Sequence, residues 1–195
     1  MDWLKLFDRI DATDGATSLQ LAQLQAGFNA ALNAEEITRI QRGQKNPFTA
    51  NHALYQNWRP FDPNAWRFPQ CPLPASLLQW LSQSNGGNFC KGKREWGLFG
   101  SADIRTMMLD YHEPQYMPLA IPIGLDGSGN FFMLDMRQAP THGEYPVVAA
   151  AAGNLGWAAD ECAFVAPNLM QAVHGEIAIE DLIWQLPLSD QGQNS

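Results

Sequence analysis

The sequence predicts an α+β fold: a mostly antiparallel central sheet flanked by helices, with a helical N-terminal extension. Three observations predict it. Apolar residues recur at helical spacing through the first quarter of the chain, strand-like segments joined by glycine-containing turns then follow one another, and helical spacing returns near the end. That order gives consecutive strands neighbouring positions in one sheet, whereas a parallel sheet needs alternating βαβ units. At 195 residues and 46% hydrophobic, the chain is long enough for one sizeable core, and no internal repeat divides it.

The start, "MDWLKLFDRIDATDG", places Trp3, Leu6, Phe7 and Ile10 at helical spacing and predicts a short first helix. A second helix is read over "LQLAQLQAGFNAALN", weakened at Gly27. Asn33 and Glu36 form a capping box for a third, "AEEITRIQRG", closed by Gly43. The stretch "WRPFDPNAWRFPQCPLP" (58–74) carries five prolines, which rule out a helix or a central strand, and its Trp58, Phe61, Trp66 and Phe68 are expected to anchor it across the core. Pro74 opens a helix whose Leu77, Trp80 and Leu81 make a core-facing stripe, and Asn85-Gly86-Gly87 supplies a left-handed cap.

Two short strands, "GNFC" and "EWGLFG", flank a glycine turn, after which Ser101 is expected to cap a helix bearing Ile104, Met107, Met108 and Tyr111. The clearest sheet signal is "LAIPIGL-DGSG-NFFMLDM" (119–136), a hairpin around a turn that tolerates positive φ. "YPVVAAAA" reads as a further strand and "PNLMQAVHG" as a helix, while "EIAIEDLIW" fits either.

Composition narrows the function classes. The start lacks the basic, unbroken apolar pattern of a secretory signal, and no stretch approaches the roughly 20 apolar residues of a membrane span, so a soluble, cytoplasmic protein is expected. Cys71, Cys90 and Cys162 are odd in number and widely spaced, which suits reduced thiols better than a disulfide framework or a zinc ribbon. Residues 1–100 hold ten Lys and Arg against eight Asp and Glu, a net of +2; residues 101–195 hold two against twelve, a net of −10. An acidic half of that size repels a phosphate backbone and excludes nucleic acid as a partner. It is either a solvated face or a docking face for a basic protein.

The chemical motifs fail on their own requirements. A phosphate loop needs a lysine and hydroxyl leading into a helix, but a strand follows "GLDGSGN". A calcium loop starting at Asp126 needs glycine at its sixth position and glutamate at its twelfth, where Phe131 and Arg137 stand, and no G-x-S-x-G surrounds Ser128. His142-Gly143-Glu144 and His174-Gly175-Glu176 resemble half of a zinc deaminase signature without the P-C-x-x-C that completes it. Cys90 beside Lys91 to Arg94 admits a lowered thiol pKa, although a strand cysteine explains it equally, and Asp110 with Asp135 is an acid–base pair only if the fold joins them. No catalytic residue, metal or cofactor is therefore assigned.

Taken in order, "FPQCPLPASLLQWLSQSNGGNF", "EWGLFG", "YMPLAIPIGLDGSGNFFMLDMR", "EYPVVAAAAGNLGW" and "VAPNL" resemble the SUKH superfamily, which contains the yeast cell-wall synthesis regulator of the Smi/Knr type and many bacterial immunity proteins. The resemblance covers about residues 58 to 175. It implies an α+β domain in which the Asn-Gly-Gly turn and the glycine hairpin are architecture. It further implies a binding protein that neutralises a polymorphic toxin, of nuclease or deaminase type, by direct contact.

The expected organisation is a helical extension over 1–32, one domain over 33–187 and a flexible tail over 188–195. Asp110, Glu113, Asp160 and Glu161 are the expected contacts with a basic toxin domain. The rival readings are a regulatory scaffold docking through its N-terminal helices and an enzyme whose site is assembled from distant residues.

Overall fold

Seven strands make one antiparallel sheet, each beside its neighbour in sequence: β1 (Arg9–Ala12), β2 (Gly87–Lys91), β3 (Arg94–Leu98), β4 (Ala120–Leu125), β5 (Asn130–Asp135), β6 (Val147–Ala151) and β7 (Cys162–Ala166). The structure, a computed structural model, describes residues 1–186; the tail expected over 188–195 lies outside the described residues. Seven α-helices accompany the sheet among the described residues: α1 (Ser18–Gly27), α2 (Ala34–Gly43), α3 (Ala75–Leu81), α4 (Asp103–Asp110), α5 (Glu113–Tyr116), α6 (Leu169–His174) and α7 (Ile179–Ile183). This is the α+β architecture that the succession of strands implied.

Alternation along the strands gives the sheet two unlike faces. Face one carries Phe89, Trp96, Ile121, Phe132, Leu134, Val147 and Ala149, all buried in a core with Leu77 and Trp80 of α3 and Leu169 and Val173 of α6. Trp96 stacks on Phe132 with 3.6 Å between ring centroids, and Trp80 stacks on Trp3 at 5.4 Å. Face two carries Phe131, Met133, Val148 and Ala150 over the central strands, whereas over β2 and β3 it offers exposed Asn88 and Glu95.

β3 and β4 pair only through Gly97 to Leu125 and Leu98 to Gly124. Beyond the end of β3, α4 packs beside β4, sending Ile104 and Met108 to the larger core and Met107 to the smaller one. Pro122 is tolerated inside β4 because the register shifts between Pro122 and Gly124.

The N-terminus departs from the sequence reading. Instead of a first helix, a single 3-10 turn over Leu4–Leu6 leads into β1, the edge strand beside β2. Trp3 and Phe7 are drawn onto Trp80 and Phe89, and the Asp8 carboxylate accepts the Gly92 N–H at 2.8 Å; extending the chain along β2 satisfies more than an isolated helical turn would. Residues 1–32 thus place Trp3, Phe7, Leu24 and Phe28 in the same core as the rest.

Smaller departures have equally local causes. The second helix stops at Gly27, and its start is fixed by a capping box between Thr17 and Gln20. Ser101 does not cap α4; its N–H is taken by Asn85 Oδ1 at 2.7 Å. The ambiguous C-terminal segment forms α7, and β7 appears where no strand was expected.

The Ser84 to Gly87 turn joins three elements. Ser84 Oγ accepts the Thr13 N–H at 3.0 Å, and Asn85 donates its N–H to Asp14 O at 3.0 Å. Gly87 has φ of +122°, and a side chain there would meet the Asp11 carbonyl at 2.5 Å, so only glycine fits beside β1. Arg94 locks the next hairpin down. Buried at 4% exposure, it donates from Nη1 to Ala172 O at 2.7 Å and from Nε to Ile177 O at 2.9 Å, capping the end of α6.

Candidate functional site

The four acidic residues expected at a partner surface do not share one fate. Asp110, the last residue of α4, is half exposed and lies 3.3 Å from Arg39 of α2. Asp160 and Glu161 stand half-buried in the turn before β7, and Glu161 accepts the Ala158 N–H at 3.1 Å. Glu113 is a correction. It opens α5 at 0% exposure with no hydrogen-bond partner on either carboxyl oxygen, so it cannot meet a partner at the surface. Burial away from water pushes its pKa well above the ordinary 4.5 and favours its neutral form. Its position before Pro114 in a charged-looking "YHEPQY" gave the sequence no sign of this.

The register relates the remaining acids. Tyr111, next to Asp110, meets Phe131 edge-on with ring centroids 4.7 Å apart. Phe131 is opposite Ala150, and Ala150 is opposite Cys162, next to Glu161. The end of α4 and the turn before β7 therefore flank one rung of face two. Exposed aromatics accompany them: Tyr111, Tyr116 and, on β7 opposite Val148, Phe164 at 63% exposure. Arg137 lies 3.6 Å from the ring centroid of Trp157 and donates to both Asp135 oxygens at 2.9 and 2.7 Å, closing the other end of this face. Sequence reading missed Tyr116, Phe164 and the Arg137–Trp157 pair. The alternation in "CAFVA" was the available signal for Phe164, since it sets Phe164 and Ala163 on opposite faces.

This arrangement suits recognition of a protein. Aromatic side chains that are already ordered and exposed lose little freedom on contact, and carboxylates at their border attract a basic surface over longer range.

The residues weighed for catalysis take structural places. Asp110 and Asp135 each have their own arginine, Arg39 and Arg137. His142 has φ of +53° in a turn closed by Thr141 and Glu144, and Glu144 accepts Ser76 Oγ–H at 2.6 Å. Cys90 lies 3.2 Å from Arg9 Nη2, so its basic neighbour comes from β1 rather than from the Lys91 to Arg94 turn. Burial pushes the Cys162 thiol up to about 11. No group of three His, Cys, Asp or Glu is placed to hold a metal among the described residues. A cleft of about 670 Å³ between Leu32, Trp66 and Leu119 has Arg67 as its one titratable lining residue. No helix among the described residues is long and apolar enough to cross a membrane.

Against known proteins, a family model described as SMI1 / KNR4 family (SUKH-1) matches residues 66–173. The match takes in α3, all strands from β2 to β7, α4, α5 and most of α6, and leaves β1, α1, α2 and α7 outside. No curated protein matches the chain.

Proposed function

The chain belongs to the SMI1/KNR4 family (SUKH-1), and on that premise we propose that it is a non-catalytic binding protein that neutralises a toxin domain of nuclease or deaminase type by direct contact. The observation that carries the reading is the family match over six of the seven strands, β2 to β7, the part that also bears the acid-bordered aromatic face. A toxin domain that binds nucleic acid needs a basic surface, which complements the acidic half of this chain. Asp110, Asp160 and Glu161 then steer encounter, while Tyr111, Tyr116 and Phe164 supply desolvated contact. Glu113 has no part in it. The site of action is the cytoplasm, where such a toxin would meet its target.

The test is co-expression with any nuclease or deaminase toxin domain encoded beside this gene, paired with calorimetric titration of the two purified proteins. Protection of the host together with a stable one-to-one complex supports the reading. Survival without binding, or binding without protection, contradicts it.

A further inference from the structure

The two edges of the sheet are treated differently. β7 has α6 and α7 packed against it, and its pairing with β6 is broken by a register shift, both of which blunt an edge. Among the described residues β1 has neither a register shift nor a helix packed closely against it. There it pairs only with β2, in unbroken register from Arg9 opposite Cys90 to Ala12 opposite Gly87; all four of its residues are exposed, and it contains no proline. A bare edge is commonly guarded by lysine or proline, and like charges set directly opposite repel an incoming copy. β1 instead carries one charge of each sign, set symmetrically about an exposed isoleucine: Arg9, Ile10, Asp11.

We infer that β1 is a self-association edge, pairing antiparallel with β1 of a second copy about a two-fold axis at Ile10. In that register Ile10 faces its own counterpart on face one, where it now stands 45% exposed beyond Phe89. Arg9 and Asp11, which project with Cys90 and Asn88 on face two, each face the opposite charge of the other copy. A twofold axis makes both pairs at once. Moving the axis by one residue would set Arg9 against Arg9 or Asp11 against Asp11, so the charge pattern selects one register.

Asp8 does not oppose the approach, because Lys91 and the Gly92 N–H already engage its carboxylate. The Arg9 contact with Glu95, 3.7 Å long between exposed groups, is weak enough to yield. So short a strand pair makes a transient dimer rather than an obligate one.

Sedimentation equilibrium of the full chain at low salt tests this. The parent forms a reversible dimer as concentration rises. Arg9→Asp alone and Asp11→Arg alone each turn two attractive pairs repulsive and weaken association about tenfold. Mixing the two single variants in equal amounts restores it, because two acids on one chain then meet two arginines on the other, and the double variant Arg9→Asp/Asp11→Arg dimerises like the parent. A chain that stays monomeric throughout, a dimer indifferent to either substitution, or a mixture no tighter than its parts overturns the inference.

Discussion

Face one and face two of the sheet are built from the same strands, yet helices from both ends of the chain close over the first and only a helix end and loops border the second. Among the described residues, thirty buried side chains form the cluster on the first and six the cluster on the second. Burial of apolar surface is the main source of stability, so face one holds most of it. Face two carries exposed aromatics with carboxylates at its border. In a binding protein this separation lets the partner surface vary with little cost to the fold.

The strongest way to break the comparison is through face one. Trp96→Ala removes a ring stacked on Phe132 and in edge contact with Trp80, and is expected to cost about 3–5 kcal/mol in chemical denaturation. A cost under about 1 kcal/mol would mean that face one is not the main store of stability.

Glu113, buried at the start of α5, gives the next effect. Burial favours its protonated form in the native protein, whereas the unfolded chain ionises near 4.5, so the unfolded state gives up this proton at lower pH than the native state does. Its contribution to stability is fully present below about 4.5 and is lost as pH rises through the higher native value. Glu113→Gln should therefore melt above the parent at pH 7, with the gap closing on acidification. A gap independent of pH would show that the side chain is ionised or solvated in the folded chain.

Phe164→Ala should change stability by no more than about 0.5 kcal/mol, because the ring is already mostly in water, while weakening the complex with the toxin domain. A large loss of stability from this change would erase the distinction between the faces.

The sequence made face one legible and face two much less so. Leu77, Trp80, Ile104 and Met108 follow helical spacing, and the "DGSG" turn announces the hairpin, since period and turn chemistry are local properties. Asp126 confirms that turn by accepting the Ser128 and Asn130 N–H groups at 2.9 and 2.7 Å. The N-terminal strand was not legible: "LKLFDRI" satisfies a helical pattern, and only the distant Trp80 and β2 decide against it. Glu113 was misplaced for the same reason. A carboxylate reads as surface until long-range packing encloses it.

Removing residues 1–32 to look for a docking role would take β1 from the sheet and Trp3, Phe7, Leu24 and Phe28 from the core, so loss of a partner would follow from unfolding alone.

The most direct measurement is the association rate with the toxin domain as a function of ionic strength, for the parent and for Asp110→Lys/Asp160→Lys/Glu161→Lys. The triple variant should melt within a few degrees of the parent and associate about tenfold more slowly at low salt, with the difference fading as salt is added. An unchanged rate and an unchanged salt dependence would contradict recognition through the acid-bordered face.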